Sequence, residues 1–385
     1  MKIVFVTNLI NHHQVPLADE LYAIPGVDYT FVATIPMPDF LKNSGYPDYS
    51  DRKYLLNAYE SAAKKKEALQ LALNADVVII GSAPEEYVTQ RIQAGKLTFR
   101  YSERWFKSRP WYLSGPRAWV NYYKDHIRYM NKPLYMLAAS AYTANDVYAI
   151  GAYKNKVFKW GYFTKVDTNV KVEVPNLGAS TLESTSLMWC ARFLKWKHPE
   201  LPVQLAKRLK DDGYKFTLDM YGSGEEFEKN RAMIQELQVQ DVVHLRGNLP
   251  NDQILQQMQQ HDIFLFTSDR NEGWGAVLNE AMSNGCAVVS SNRIGSTPFL
   301  IEHGKNGLIF ESENLDSFYQ QVKNLLDHPD LRKSLSTQAV CTMKEVWSPK
   351  NAAKQLLKLV QALQDDNESM IPKSGPCSRV YPYHL

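Results

Sequence analysis

Residues 267–291 read TSDRNEGWGAVLNEAMSNGCAVVSS. The stretch closes a short apolar run at 263–268, passes through a loop that carries Glu272 and two glycines, and enters a helical pattern predicted from about Trp274 to Asn284. Gly285 stops that helix before a second β-rich run, CAVVSS at 286–291. Two continuously apolar strands joined by a helix imply a parallel sheet covered on both faces. Gly273 and Gly275 would let backbone amides at the start of the helix approach an anion. Glu280 then lies about 9 Å further along the helix axis than Trp274, so Glu272 and Glu280 would reach different parts of one elongated ligand.

The same rhythm extends in both directions. Apolar runs at 186–192 (SLMWCAR), 216–222 (FTLDMYG), 242–247 (VVHLRG) and 307–310 (GLIF) belong to the series around 267–291. An earlier series occupies 2–9 (KIVFVTNL), 28–34 (DYTFVAT), 75–82 (ADVVIIGS) and 97–102 (LTFRYS). The Ser/Thr-rich stretch at 164–186 separates them and reads as a linker. At 385 residues the chain is long enough for two cores. The expected division is a doubly wound α/β domain at 1–168, a second at 169–346, a helix at about 347–365, and a flexible tail at 366–385.

The 44 Lys and Arg nearly balance the 41 Asp and Glu, so no global field points to nucleic acid. The four cysteines show no CxxC spacing, which argues against a disulfide frame or a metal site and for a reducing, cytoplasmic setting. No segment approaches the roughly 18 uninterrupted apolar residues of a membrane span.

In an open parallel sheet, ligands sit beyond the carboxyl ends of the strands. After the run ending at Cys190, the sequence ARFLKWKHPE places Arg192 and Lys197 where cations would clamp a diphosphate. After Tyr221 comes GSGEEF, an incomplete dinucleotide fingerprint in which Phe227 stands in the place of the third glycine. In NRIGSTPFLIEHGKNGLIF at 292–310, Gly295, Ser296 and Thr297 would add amides and hydroxyls around a phosphate.

Together these segments resemble the large family of retaining glycosyltransferases of GT-B fold, whose signature is two glutamates separated by seven residues, here Glu272 and Glu280. The resemblance is strongest from Leu187 to about Phe310 and rests mainly on layout in the N-terminal half. It implies two Rossmann-like doubly wound domains facing a central cleft, with the last helix returning to the N-terminal domain. It further implies that Glu272 binds hydroxyls of the donor sugar, Glu280 binds the nucleotide ribose, and Arg192 and Lys197 neutralise the departing diphosphate. Gly273, Trp274, Gly275, Gly222, Ser296 and Thr297 would line the donor, while Gly247, Asn248 and Leu249 would hold the base. The co-substrate is a nucleoside diphosphate sugar, with UDP expected ahead of GDP, and no other cofactor or metal is implied. A hexose-type unit would pass, with retention, to a hydroxyl of a glycan or lipid-linked acceptor in bacterial surface polysaccharide synthesis. The chain departs from the family pattern at His198, where glycine commonly follows the lysine, and at Ser296 and Phe299, where a glycine and a glutamate are usual. The competing readings are a nucleotide-sugar epimerase of the same architecture and a non-catalytic, membrane-associated partner protein.

In the N-terminal half, His12, His13 and Gln14 follow the first strand, and Glu103 and Arg104 follow the run at 97–102. These are the candidates for acceptor binding, with His13 and Glu103 also candidates for chemistry. Between Phe99 and Lys132, eight Lys or Arg and ten aromatic residues accompany only Glu103 and Asp125, a mixture suited to peripheral docking on an anionic inner-membrane face.

Overall fold

The computed structural model describes residues 1–39, 47–107, 115–166 and 184–383. Most of the linker expected at 164–186, and residues 108–114 of the basic aromatic segment, lie outside the described residues. The chain divides into two compact units, Met1–Lys165 with Trp347–Leu385, and Val166–Val346.

The first unit is built on seven strands: β1 Lys2–Thr7, β2 Asp28–Ala33, β3 Leu55–Asn57, β4 Val77–Ile80, β5 Thr98–Ser102, β6 Leu134–Ala138 and β7 Val157–Lys159. Their order is β3-β2-β1-β4-β5-β6-β7, and every neighbouring pair is parallel. Ile3, Val6, Val77, Val78, Phe99 and Met136 are fully buried, which explains the unbroken apolar runs. Strands β3, β6 and β7 were not singled out in the sequence. β3 and β7 are three residues long, too short for a periodic signal.

The second unit is a six-stranded parallel sheet: β8 Thr185–Cys190, β9 Phe216–Tyr221, β10 Val243–Gly247, β11 Ile263–Phe266, β12 Ala287–Ser291 and β13 Leu308–Phe310. Its order is β10-β9-β8-β11-β12-β13. All six strands match runs read from the sequence, and Trp189, Phe264 and Leu265 sit in the core.

After a π-helical turn at Thr342–Val346, the chain rejoins the first unit with Trp347 stacked on Phe163, ring centroids 6.1 Å apart. The helix Pro349–Gln364 follows, its start capped by Ser348, whose hydroxyl accepts from the amide of Asn351 at 3.2 Å. It buries Leu356, Leu359 and Val360 and packs against the helix Val15–Ala23.

The segment expected to be a flexible tail is instead packed. The amide of Lys159 donates to the Ser378 carbonyl at 2.7 Å, and the amide of Cys377 donates to the Lys159 carbonyl at 2.7 Å. The amide of Val380 donates to the Val157 carbonyl at 3.0 Å, so the tail adds an antiparallel bridge to the exposed edge of β7. The Arg379 guanidinium lies over the Phe158 ring, 5.4 Å from its centroid, and Cys377 is fully buried. These contacts are non-local, so composition could not reveal them. Deleting residues 366–385 removes the buried Ile371, Cys377 and Val380 and should lower unfolding free energy by roughly 3–5 kcal/mol at the usual worth of buried apolar side chains. Urea titration checks this, and an unchanged midpoint would mean the tail is loose after all.

Candidate functional site

The order of the second sheet fixes where its site lies. From β8 the chain winds outward to β9 and β10, whereas β11, paired to the other side of β8, leads to β12 and β13. The loops after β8 and β11 therefore diverge and leave a crevice between them, the topological switch point.

The loop after β8 makes one 3-10 turn, Lys195–Lys197, ends in a left-handed His198 (φ 50°), and starts the helix Glu200–Asp211. Lys197 is 9% exposed and its ammonium contacts a carboxylate oxygen of Glu272, itself 8% exposed. The Ser268 hydroxyl donates to the same carboxylate oxygen at 2.9 Å. Below them, the Trp189 indole donates to the Thr267 hydroxyl at 2.9 Å, and that hydroxyl donates to the Lys197 carbonyl at 2.7 Å. A buried ammonium and carboxylate are tolerable only as a hydrogen-bonded pair, so each holds the other's loop in place. Arg192 is exposed and makes no ion pair among the described residues.

The helix runs Val277–Ser283, starting three residues later than expected, and Glu280 is the fourth of its seven residues, near the middle as the sequence indicated. Gly273, Trp274, Gly275 and Ala276 form the approach instead, because a left-handed Gly275 (φ 86°) breaks the helical path. A Cβ there would stand 2.6 Å from the Phe266 ring, so only glycine fits. Burial pushes the Glu280 carboxyl up to about 7 against the opposing hydrogen bond from Asn251. Near neutral pH it is therefore both donor and acceptor, suited to vicinal hydroxyls. The neighbouring Cys190 thiol is pushed up to about 12, first by burial and then by the Glu280 charge, with Lys197 opposing. Cys190 thus lies within electrostatic reach of both Glu280 and Lys197.

Of the other expected donor contacts, Trp274 is corrected by its surroundings. Trp274 is fully buried with its indole donating to Asn279 at 2.8 Å, so its side chain belongs to the core. The Thr297 hydroxyl is shared with Ser290 at 2.7 Å, whereas the buried Ser296 hydroxyl has no hydrogen-bond partner among the described residues. Gly222 (φ 130°) is required because a Cβ would sit 2.0 Å from the Ala191 carbonyl, where the loops after β8 and β9 touch. Its amide donates to the Gly247 carbonyl at 2.8 Å, Asn248 donates to Ser223 at 2.7 Å, and Leu249 is half-buried beside them.

In the first unit, three loops converge. His13 stacks on Tyr162 with ring centroids 5.5 Å apart, and the Tyr162 hydroxyl donates to Glu103 at 2.7 Å. Lys107 donates to the other Glu103 oxygen at 2.7 Å. The structure therefore brings His13 and Glu103 together through Tyr162, a residue the sequence did not mark because it lies in no strand or helix. Burial, then the adjacent His12, pushes the His13 imidazole down to about 3, so it is neutral at physiological pH. His13 Nδ1 and Gln14 Oε1 are buried without hydrogen-bond partners among the described residues.

Arg104 is not available as expected. It pairs with Asp146 at 3.4 Å and lies over the Tyr142 ring, while Asp146 also accepts from the amides of Trp105 and Phe106 at 2.6 and 3.0 Å. Burial raises the Asp146 pKa, with Arg104 opposing. This carboxylate, also missed in the sequence, fixes the loop after β5.

The basic aromatic segment also divides. Arg100 makes a two-pronged contact with Glu85 at 2.6 and 2.7 Å, and Phe99, Phe106 and Tyr129 are buried. The helix Pro116–Asp125 keeps Val120 and Tyr123 more than half exposed beside exposed Arg117 and Lys124. No helix among the described residues is long and apolar enough to cross a membrane.

Residues 182–340 match the family described as Glycosyl transferases group 1. The chain is 33% identical over 134 residues to the poly(glycerol-phosphate) alpha-glucosyltransferase of Bacillus subtilis, covering 35% of this chain and 19% of that one. It is 29% identical over 194 residues to an N-acetylgalactosaminyltransferase of Campylobacter jejuni that acts on a diphospho-undecaprenol glycan, covering 48% and 52%. The chain thus spans about half or less of these relatives' lengths. The crystal structure of Anabaena HepE in complex with UDP superposes with a TM-score of 0.66 at 14% identity, covering 94% of this chain and all of that one. A glycosyltransferase from Rickettsia africae gives 0.67 at 15% identity, with 95% and 99% covered. The fold is shared with GT-B glycosyltransferases of known structure.

The buried pair at the switch point makes a double-mutant test direct. Glu272→Gln or Lys197→Met alone should cost about 3–5 kcal/mol of stability, and the double variant should recover much of that loss. Additive losses in denaturant unfolding would show that the two charges do not depend on each other.

Proposed function

We propose that this chain moves a sugar from a UDP-linked donor to a hydroxyl of a glycan or lipid-linked acceptor, retaining the anomeric configuration. The observation that carries the reading is the Lys197–Glu272 pair at the switch point, with Glu280 beside it in the first turn of the next helix. Similarity to glycosyltransferases over 182–340 agrees with it. Lys197 and the exposed Arg192 meet the diphosphate and stabilise the charge that grows on it as the glycosidic bond breaks. Glu272, already an acceptor for Ser268, accepts hydrogen bonds from the sugar hydroxyls. Glu280 takes the ribose hydroxyls, and the backbone of Gly247 to Leu249 flanks the base. The departing phosphate assists removal of the acceptor proton. The neutral His13, Gln14 and the Glu103–Tyr162 pair orient the acceptor.

The setting is bacterial surface polysaccharide assembly, reached by peripheral docking through the helix Pro116–Asp125, where Val120 and Tyr123 are exposed among cations. Val120→Asp with Tyr123→Asp should abolish sedimentation with anionic liposomes at low salt. Equal sedimentation of variant and wild type would exclude this face.

Thermal-shift screening of UDP- and GDP-sugars, followed by assay with and without acceptor, tests the central reading. UDP-sugars should raise the midpoint, and product should form only with acceptor, which separates transfer from epimerisation. Lys197→Ala should lower kcat by about 10²–10³, the scale for one lost charge-stabilising contact. Undiminished turnover in that variant would remove Lys197 from the mechanism.

A further inference from the structure

His198 departs from the glycine expected after Lys197, yet its backbone takes the left-handed conformation that glycine adopts freely and histidine uncommonly (φ 50°). Its ring explains how this is held. Nδ1 lies 2.8 Å from a Glu200 oxygen at the start of the following helix, and Nε2 lies 3.5 Å from Asp269 in the loop after β11. The Glu313 carboxylate, in the loop after β13, forms with His198 and Asp269 a cluster in which one polar atom from each lies within 4.8 Å of the others. With a carboxylate facing each ring nitrogen, the geometry calls for both nitrogens to carry protons.

We propose that His198 is a positioning residue: a charged imidazolium clamp that ties the loops after β8, β11 and β13 and so presents the adjacent Lys197 to the donor diphosphate. The clamp rests on the donor-site reading given above. Lys197 is the preceding residue, its carbonyl is held by Thr267, and the amide of Asp269 donates to the Trp196 carbonyl at 3.0 Å. The turn that aims Lys197 is therefore held to the loop after β11 through the Thr267 hydroxyl, the Asp269 amide and the His198 ring.

Burial alone would lower the His198 pKa, but Asp269 and Glu200, with Glu313 further off, outweigh it and raise it from 6.5 to about 9. Because the folded value exceeds the unfolded one, the stabilisation is fully present below about 6.5 and is lost as pH rises through about 9. At higher pH a ring lone pair faces a carboxylate, and the clamp opens.

His198→Asn separates charge from backbone, because asparagine tolerates the left-handed conformation without carrying charge. NMR should show the His198 ring titrating near 9, with the Lys197 side-chain signal moving in step in the wild type and not in the variant. UDP affinity, measured by calorimetry, should be weaker in His198→Asn by about tenfold at neutral pH, or 1.4 kcal/mol. Its pH dependence should also lack the wild-type weakening through 9. Ionisation of the uracil ring affects both proteins equally and cancels in the comparison. A ring titrating near 6.5, or identical pH profiles for the two proteins, would overturn the clamp. Stoichiometric Zn²⁺ binding that shifts the His198 signal and fails in the variant would overturn it too, by making the cluster a cation site. If UDP binds neither protein, the donor reading fails, and the coupled Lys197 titration alone decides the clamp.

Discussion

A lysine and a glutamate buried side by side at the end of a parallel sheet impose conditions on everything around them. Neither charge of Lys197 and Glu272 can leave the other without meeting the full cost of an unpaired ion in a poorly solvated place. The pair therefore demands that two loops from adjacent strands stay in register to within a hydrogen bond. The structure meets that demand below the pair, where the Trp189 indole, the Thr267 hydroxyl and the Lys197 carbonyl form a chain from core to loop. Gly275 and Gly222 serve the same end by allowing contacts that no Cβ would permit. Stability and chemistry draw here on the same atoms, since the groups that hold the loops are those proposed to hold the donor.

Much of this was legible in the sequence because it is local. Continuous apolar runs mark strands covered on both faces, and all six strands of the second sheet followed from them. The Glu272 and Glu280 spacing, with glycines between, located the turn at the head of the helix. What escaped depends on partners remote in the chain. Tyr162 joins His13 to Glu103 across three separate loops, and Asp146 claims Arg104 from 42 residues away. Trp274 read as a ligand contact because it adjoins the glutamates, yet its size and its hydrogen bond to Asn279 send it into the core. The tail misled for a related reason. Composition rich in Pro, Ser and Gly reports a lack of helical or strand periodicity, and an irregular segment can still pair with an open strand edge.

The two candidate regions differ in character. The second unit concentrates charge in a fixed pair and keeps Glu280 poised between protonated and ionised forms. The first unit offers a neutral imidazole, an aromatic face and the unsatisfied polar atoms of His13 and Gln14. Diphosphate recognition needs strong, preset charge, whereas recognition of uncharged hydroxyls is better served by neutral donors and acceptors beside a flat ring.

The return of the chain to the first unit matters during synthesis. That unit begins to emerge first, yet the helix Val15–Ala23 waits for Pro349–Gln364, and the edge of β7 waits for residues 377–380. The second unit, contiguous from Val166 to Val346, can close as soon as it has left the ribosome. The first-made half is thus the last to be finished, and a nascent chain stalled before Trp347 would present an uncovered apolar helix face and an open sheet edge to the chaperones of the cell.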